Sequence, residues 1–86
     1  MKKIIVKVQP FTMKQTAFVY EDGNKIDAAE TNFDNFNDEV LALVEKHNIT
    51  EVELVGAAMF SKWIGERLLK AELNKYNKNT LQVKYL

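Results

Sequence analysis

The most constraining feature of this chain is the segment from Asn48 to Leu73, where a short apolar run meets a long helical pattern at one glycine. Residues 51–55 predict a buried strand, and the helical pattern begins directly after Gly56. A strand joined to a helix through a single glycine predicts an α/β topology. It also directs the amino end of the helix toward the sheet edge where α/β proteins usually bind ligands.

Hydrophobic periodicity predicts the remaining elements. Alternating polarity predicts strands over residues 4–8 and 81–85, and β-branched and aromatic residues predict a strand over residues 16–20, which the hairpin continues into a third strand over residues 25–29. Asp22-Gly23 predicts a tight hairpin turn between the second and third strands, because both residue types tolerate a positive φ. Three- and four-residue spacing predicts a helix from an N-cap at Asn32 to a left-handed end at Asn48, and a second helix over residues 58–76.

The predicted element order is β-β-β-α-β-α-β within one domain, residues 1–86. Hairpins make the first three strands antiparallel, and two right-handed crossovers then add parallel strands. The result is a two-layer α/β sandwich, a five-stranded mixed sheet in the order 3-2-1-4-5 with two helices on one face. Alternating strand polarity predicts that the other face is open to solvent, with lysines of the first strand facing glutamates of the fourth.

Two apolar residues, Ile5 and Val55, interrupt the polar open face. They are either isolated surface residues or the centre of a contact patch for a protein partner or a second copy of the chain. Phe11 and Met13 lie in the loop that follows the first strand. They either fold back under the second helix or add to that contact surface.

Composition excludes several classes of site. The chain has no cysteine and one histidine, so a disulfide, a thiolate metal site and a histidine-rich zinc site are all excluded. We expect no cofactor. The longest apolar runs fall far short of the ~20 residues of a membrane span, and Lys7 interrupts the first run, so we expect a soluble cytoplasmic protein without a membrane partner.

Charge is unevenly distributed, although the net charge is zero. Residues 21–53 carry ten acids and two lysines, and the flanking segments are basic. This distribution indicates either a dipolar surface that steers a charged partner or segments that neutralise one another in the fold. The acids Asp27, Glu30, Asp34 and Asp38 are interpreted as a solvated face, since the first strand offers no further carboxylate for a metal cage.

The stretch from Ile49 to Ala58 resembles the segment of heat-shock chaperone ATPases in which a strand reading valine-leucine-valine-glycine-glycine enters a helix beside the nucleotide. The element order resembles that of the ribonuclease-H-like fold, which includes actin-like ATPases and sugar kinases. Those families hold a metal with an aspartate of the first strand, whereas residues 4–8 contain no acid, and Ala57 stands in place of the second glycine. The resemblance therefore implies the fold without the catalysis.

The start of the second helix is the predicted site for a nucleotide or phosphate. Backbone amides at a helix amino end bind anions, and the loop after the first strand should lie at the same edge. The candidate ligand-binding residues are Gly56, Ala57, Ala58, Ser61, Lys62 and Thr12. The alternative is that the glycine only makes a tight strand-to-helix join.

Three further residue sets have an ordinary interpretation beside a functional one. His47 falls near a helix end, which favours a capping role over general-base catalysis. Trp63 is interpreted as a core or core-edge residue, with a stacking platform for a base as the alternative. The basic residues of the second helix indicate at most a minor nucleic-acid interaction, because acids interrupt the row.

The favoured function is therefore a small non-enzymatic protein-interaction or regulatory module, of a phage-type or accessory kind. Its expected contact surfaces are the open sheet face, the edge strand 81–86 and the loop 10–15. A nucleotide or phosphate binder is the alternative, and a weak nucleic-acid binder is the next.

Overall fold

The computed structural model describes residues 1–9 and 14–86. Within them the elements are β1 (Lys2–Lys7), β2 (Lys14–Glu21), β3 (Asn24–Asn32), α1 (Phe36–His47), β4 (Glu51–Val55), α2 (Ala58–Tyr76) and β5 (Gln82–Tyr85). The predictions for Phe11, Thr12 and Met13 lie outside the described residues. Lys14 and Gln15, which were expected in a loop, belong to β2.

The sheet has the predicted order, β3-β2-β1-β4-β5. β1 pairs antiparallel with β2, and β2 pairs antiparallel with β3. β4 runs parallel to both β1 and β5. In the register, Ile4 lies opposite Val19 on one side and Val52 on the other, so one face of the sheet is continuously apolar across three strands.

The core lies between this apolar face and the two helices. α1 contacts β2 and β3, α2 contacts β4 and β5, and the two helices contact each other. Their apolar sides are fully buried at Val40 and Leu68. Fully buried sheet residues face them: Ile4, Val6, Ala17, Val19, Val52 and Leu54. The predicted two-layer sandwich is confirmed.

Two predicted turns are confirmed by backbone angles. Asp22 and Gly23 have φ of 52° and 83°, which matches the hairpin turn that a right-handed strand twist favours. Asn48 ends α1 with φ of 55°, and its N–H donates to the carbonyl of Val44. An asparagine accepts this left-handed conformation at lower cost than most other residues with a side chain.

The predicted start of α1 is wrong. β3 continues to Asn32, and the helix begins at Phe36 with Asn35 as its N-cap. The side-chain oxygen of Asn32 accepts hydrogen bonds from the backbone N–H groups of Asp34 and Asn35, both at 2.9 Å. The backbone N–H of Asn32 donates to Asn35 Oδ1 at 2.7 Å. These local bonds make a turn that competes with the helix, so Phe33 lies in the turn.

A buried carboxylate closes the connection between α2 and β5. Glu72 is 1% exposed. Its carboxylate accepts hydrogen bonds from the Thr80 hydroxyl at 2.9 Å, from the Thr80 N–H at 3.2 Å and from the Leu81 N–H at 3.4 Å. The edge strand β5 is therefore anchored to the helix by a charge that is satisfied entirely within the chain.

Candidate interaction surface

Three aromatic rings stack on the surface where the β3–α1 turn meets α2. The Trp63 ring centroid lies 5.7 Å from that of Phe33 and 5.6 Å from that of Phe60, with an interplanar angle of 21° in both pairs. Phe60, Trp63 and Arg67 share one face of α2 because they are spaced three and four residues apart. We call Phe33, Phe60, Trp63 and Arg67 the aromatic cluster.

The guanidinium of Arg67 lies over this stack. Its central carbon is 4.6 Å from the Phe33 ring centroid and 4.8 Å from that of Trp63, which is cation–π geometry. Within residues 1–9 and 14–86 the guanidinium has neither a hydrogen bond nor a carboxylate partner. No buried side-chain nitrogen among those residues lacks a hydrogen bond, so none of the Arg67 nitrogens is fully buried.

A small cavity of about 30 Å³ opens beside the stack. Phe36 and Ile64 complete its apolar wall, and Asn32 and Asn37 form part of its polar rim. A volume of this size holds a water molecule or a methyl group but not a ring. The cavity therefore offers a specific but shallow apolar contact.

The aromatic cluster exposes an unusual amount of apolar surface for a small domain. Phe33 is 38% exposed and Trp63 is 43% exposed. Met59, one helical turn before Trp63, is 89% exposed and extends the same side of α2. Adjacent exposed apolar side chains of this size mark interaction surfaces more often than single ones do.

Sequence reasoning found only part of this surface. The expected core-edge position of Trp63 agrees with its partial exposure. The helix predicted from Asn32 would place Phe33 on its buried stripe, whereas the asparagine turn moves it out to meet Trp63. The three- and four-residue spacing of Phe60, Trp63 and Arg67 was the one available signal, but it does not reveal a ring contributed from another element.

The predicted phosphate site lies at the start of α2, where Gly56 and Ala57 both have positive φ, 87° and 45°. The Gly56 N–H donates to the Leu86 carbonyl at 2.9 Å. Ser61 is buried, and its hydroxyl donates to the Gly56 carbonyl. Both backbone groups of Gly56, its N–H and its carbonyl, are therefore already hydrogen-bonded within the chain.

Of the remaining phosphate-site candidates, Ala58 and Lys62 are exposed on the first turns of α2, and Thr12 lies outside the described residues. The neighbouring strand end is close, since the Val8 N–H donates to the Val55 carbonyl at 2.8 Å. The two strands thus end at one edge, as expected. Ligand binding there stays a prediction.

The open sheet face carries ion pairs, and the one between β1 and β4 confirms the predicted pairing of lysine with glutamate. Lys3 Nζ lies 3.0 Å from Glu53 Oε2, which joins β1 to β4. Lys84 Nζ lies 2.5 Å from Glu51 Oε1, which joins β5 to β4. The Lys84 hydrogen bond lowers the pKa of Glu51, and the Glu51 carboxylate raises the pKa of Lys84.

The predicted contact residues Ile5 and Val55 are half-buried on this face. Ile5 lies opposite Phe18 on β2 and Glu53 on β4, and Val55 lies opposite Lys7. Ile5 therefore has an apolar neighbour on one side, Phe18, and a charged neighbour on the other, Glu53. A contact between copies through this face stays a prediction.

His47 does not act mainly as a helix cap. Its Nε2 lies 2.8 Å from Asp27 Oδ2 on β3, and Lys46 Nζ lies 3.2 Å from the same oxygen. Hydrogen bonds from His47, the Ala28 N–H and Lys46, in that order, lower the pKa of Asp27 to about 2. The pair ties the end of α1 to the edge of the sheet.

In the described part of the chain, no three histidine, aspartate or glutamate side chains are grouped closely enough to hold a metal ion. None of the helices of residues 1–9 and 14–86 is long and apolar enough to cross a membrane.

No protein-family model matches the chain, and no curated protein matches it. The fold is similar to that of a Bacteroides thetaiotaomicron protein with an actin-like ATPase fold and unknown function, with 18% identity and a TM-score of 0.64 over 99% of this chain and 32% of that chain. It is also similar to Archaeoglobus fulgidus Pelota, with 13% identity and a TM-score of 0.58 over 99% of this chain and 26% of that chain.

The first of these proteins is described as having an actin-like ATPase fold, so the similarity supports the predicted fold. This chain spans about a third of the length of the first protein and about a quarter of the second. At such identities the similarity concerns architecture alone.

Proposed function

We propose that this chain is a small non-enzymatic protein-interaction module and that the aromatic cluster is its contact surface. The observation that carries the proposal is a ring stack in which Phe33 and Trp63 are exposed and Phe60 is half-buried, beneath an arginine without an ion-pair partner in the described residues. Tryptophan, aromatic residues and arginine are the types most enriched among residues that dominate binding energy at protein interfaces. The aromatic cluster brings one tryptophan, two phenylalanines and one arginine together beside α2.

Stacking geometry favours a protein partner over a nucleic acid. A base needs the free face of a ring on which to stack. Phe33 and Phe60 each stack on Trp63, and Arg67 lies over Phe33 and Trp63, so neighbouring side chains already occupy part of the stacking surface of Trp63. What remains exposed is about two fifths of Phe33 and of Trp63 beside a small cavity, which suits side chains of a partner protein.

Affinity capture with matched variants tests the proposal. Trp63→Ser and Arg67→Ala change the aromatic cluster, and Leu73→Ser is the control because Leu73 is 44% exposed elsewhere on the same helix. We expect a partner that wild type and Leu73→Ser retain and that both cluster variants lose. Equal retention by all four proteins contradicts the proposal.

A phosphate or nucleotide site at the start of α2 is a second candidate function. The first turn of α2 contains no acidic residue, and its N-cap, Ala57, makes no side-chain hydrogen bond. Backbone N–H groups at such a helix end carry a partial positive charge that attracts anions. Amide chemical shifts of residues 56–62 during titration with inorganic phosphate, and separately with ATP, test this, and unchanged shifts remove it.

The fold comparisons also support an evolutionary proposal. We infer that the chain shares ancestry with the ribonuclease-H-like superfamily, based on the common topology over 99% of its length. β1 carries no acid at the position where the resemblance expects a metal-binding aspartate. This departure supports the non-enzymatic proposal.

A further inference from the structure

We infer that the aromatic cluster recognises an acidic peptide segment of its partner, with a carboxylate beside a branched aliphatic side chain. The inference rests on the proposed function and names the chemistry of the segment that the cluster would bind. Two features of the surface carry it, the free edge of the Arg67 guanidinium and the size of the neighbouring cavity.

The orientation of Arg67 provides the charge selectivity. The central carbon of the guanidinium lies 4.6 Å and 4.8 Å from the two ring centroids, which is cation–π distance. The N–H donors of arginine point outward in the plane of that group, where they match the two oxygens of a carboxylate. Since no described residue accepts a hydrogen bond from them, these donors remain for a partner.

The ring stack also holds Arg67 in place before binding. A side chain fixed by packing loses less rotamer freedom when it forms a salt bridge than a freely moving one does. Bidentate pairing with a carboxylate is geometrically specific, so lysine cannot replace arginine here without loss. A substitution Arg67→Lys keeps the charge and therefore isolates the geometric contribution.

The cavity provides the apolar selectivity. Its volume of about 30 Å³ accepts a methyl group, and its wall includes Phe36, Phe60 and Ile64. Leucine, isoleucine and valine each present such a methyl, whereas an aromatic ring is too large to enter. Arg67 lines the same cavity, so the carboxylate and the aliphatic residue must be close together in the partner segment.

Selection from a random heptapeptide library displayed on phage tests the inference, with wild type and Arg67→Gln as parallel targets. We expect peptides enriched on wild type to carry aspartate or glutamate within about three residues of leucine, isoleucine or valine, and to lose enrichment on Arg67→Gln. Enriched peptides without an acidic bias, or no enrichment at all, overturn the inference.

Intrinsic fluorescence then measures affinity at the site, because Trp63 is the single tryptophan of the chain. A synthetic peptide with the enriched sequence should bind about tenfold more tightly than its Glu→Gln counterpart, the change expected from one charge-assisted hydrogen bond. Arg67→Lys should lose part of that preference and Arg67→Gln all of it. Equal affinities for both peptides count against the inference.

The failure modes of the two proposals differ. If enriched peptides depend on Trp63 but carry no acids, the acidic-peptide inference fails and the interaction surface remains. If the peptides bind Trp63→Ser as well as wild type, the proposed contact surface itself fails. A single-stranded oligonucleotide that quenches Trp63 at lower concentration than any selected peptide overturns the inference in favour of a nucleic acid.

Discussion

Replacing Glu72 by glutamine tests the anchor between α2 and β5. The carboxylate is 1% exposed and accepts from three donors, at 2.9, 3.2 and 3.4 Å. An amide of the same shape can keep its one oxygen on the two backbone N–H groups, but those bonds then go to a neutral acceptor, and its NH₂ group requires the Thr80 hydroxyl to change from donor to acceptor. Because hydrogen bonds to a charged acceptor contribute about 1.5–3 kcal/mol each, and such losses are not additive, we expect Glu72→Gln to cost about 2 kcal/mol.

That loss is large for a domain of this size. The chain has 86 residues, and domains of that length are stable by roughly 5–10 kcal/mol. A loss of about 2 kcal/mol lowers the melting temperature of such a domain by roughly 8–16 °C. Circular dichroism during thermal and urea unfolding measures both quantities.

Glu66→Gln is the matched control, because Glu66 is exposed on the same helix. We expect its melting temperature to stay near that of wild type. The reasoning is refuted if Glu72→Gln melts within about 2 °C of Glu66→Gln, since the buried carboxylate would then contribute no more than a surface charge.

Three further predictions concern other parts of the chain. The pKa of Asp27 falls from 3.8 unfolded to about 2 folded, so its contribution to stability is present above pH 4 and is lost as pH falls through about 2. Urea midpoints between pH 5 and 2 should therefore decline less steeply in Asp27→Asn than in wild type, and parallel curves contradict this. In Gly65→Ala the new Cβ lies 2.9 Å from Tyr85 Cε1, so the ring must move off α2. Partial burial, and then Glu66, raises the pKa of Tyr85, and we expect an NMR titration of the variant to return it toward 10.0. An unchanged value means that the ring stays against α2. If Ile5 centres a contact between copies, light scattering gives wild type twice the 9.9 kDa mass of one chain and Ile5→Lys the single mass, and a wild-type monomer rejects that contact.

The sequence predicts the parts of the fold that depend on local chemistry. Asp22-Gly23 specifies its turn because both residues tolerate positive φ, and Gly56 separates β4 from a helix whose bounds were predicted correctly. The strand order follows from the element order, because crossover connections between parallel strands are almost always right-handed. Alternating polarity correctly assigns buried and open sides of the sheet.

The candidate surface depends on contacts between distant residues and was harder to predict. Two asparagines, Asn32 and Asn35, satisfy each other's backbone groups, which delays the helix and exposes Phe33. Periodicity alone treats Phe33 as one more buried position. Its meeting with Trp63 requires the packing of both helices, as does the pairing of His47 with β3.

Acrylamide quenching of Trp63 in the isolated complex tests the central claim most directly. Trp63 is 43% exposed in the free chain and is the only fluorescent indole. We predict that a captured partner lowers the quenching constant, because binding covers the aromatic cluster. A complex that remains intact on size exclusion but leaves quenching unchanged would place the partner elsewhere on the protein and contradict the account.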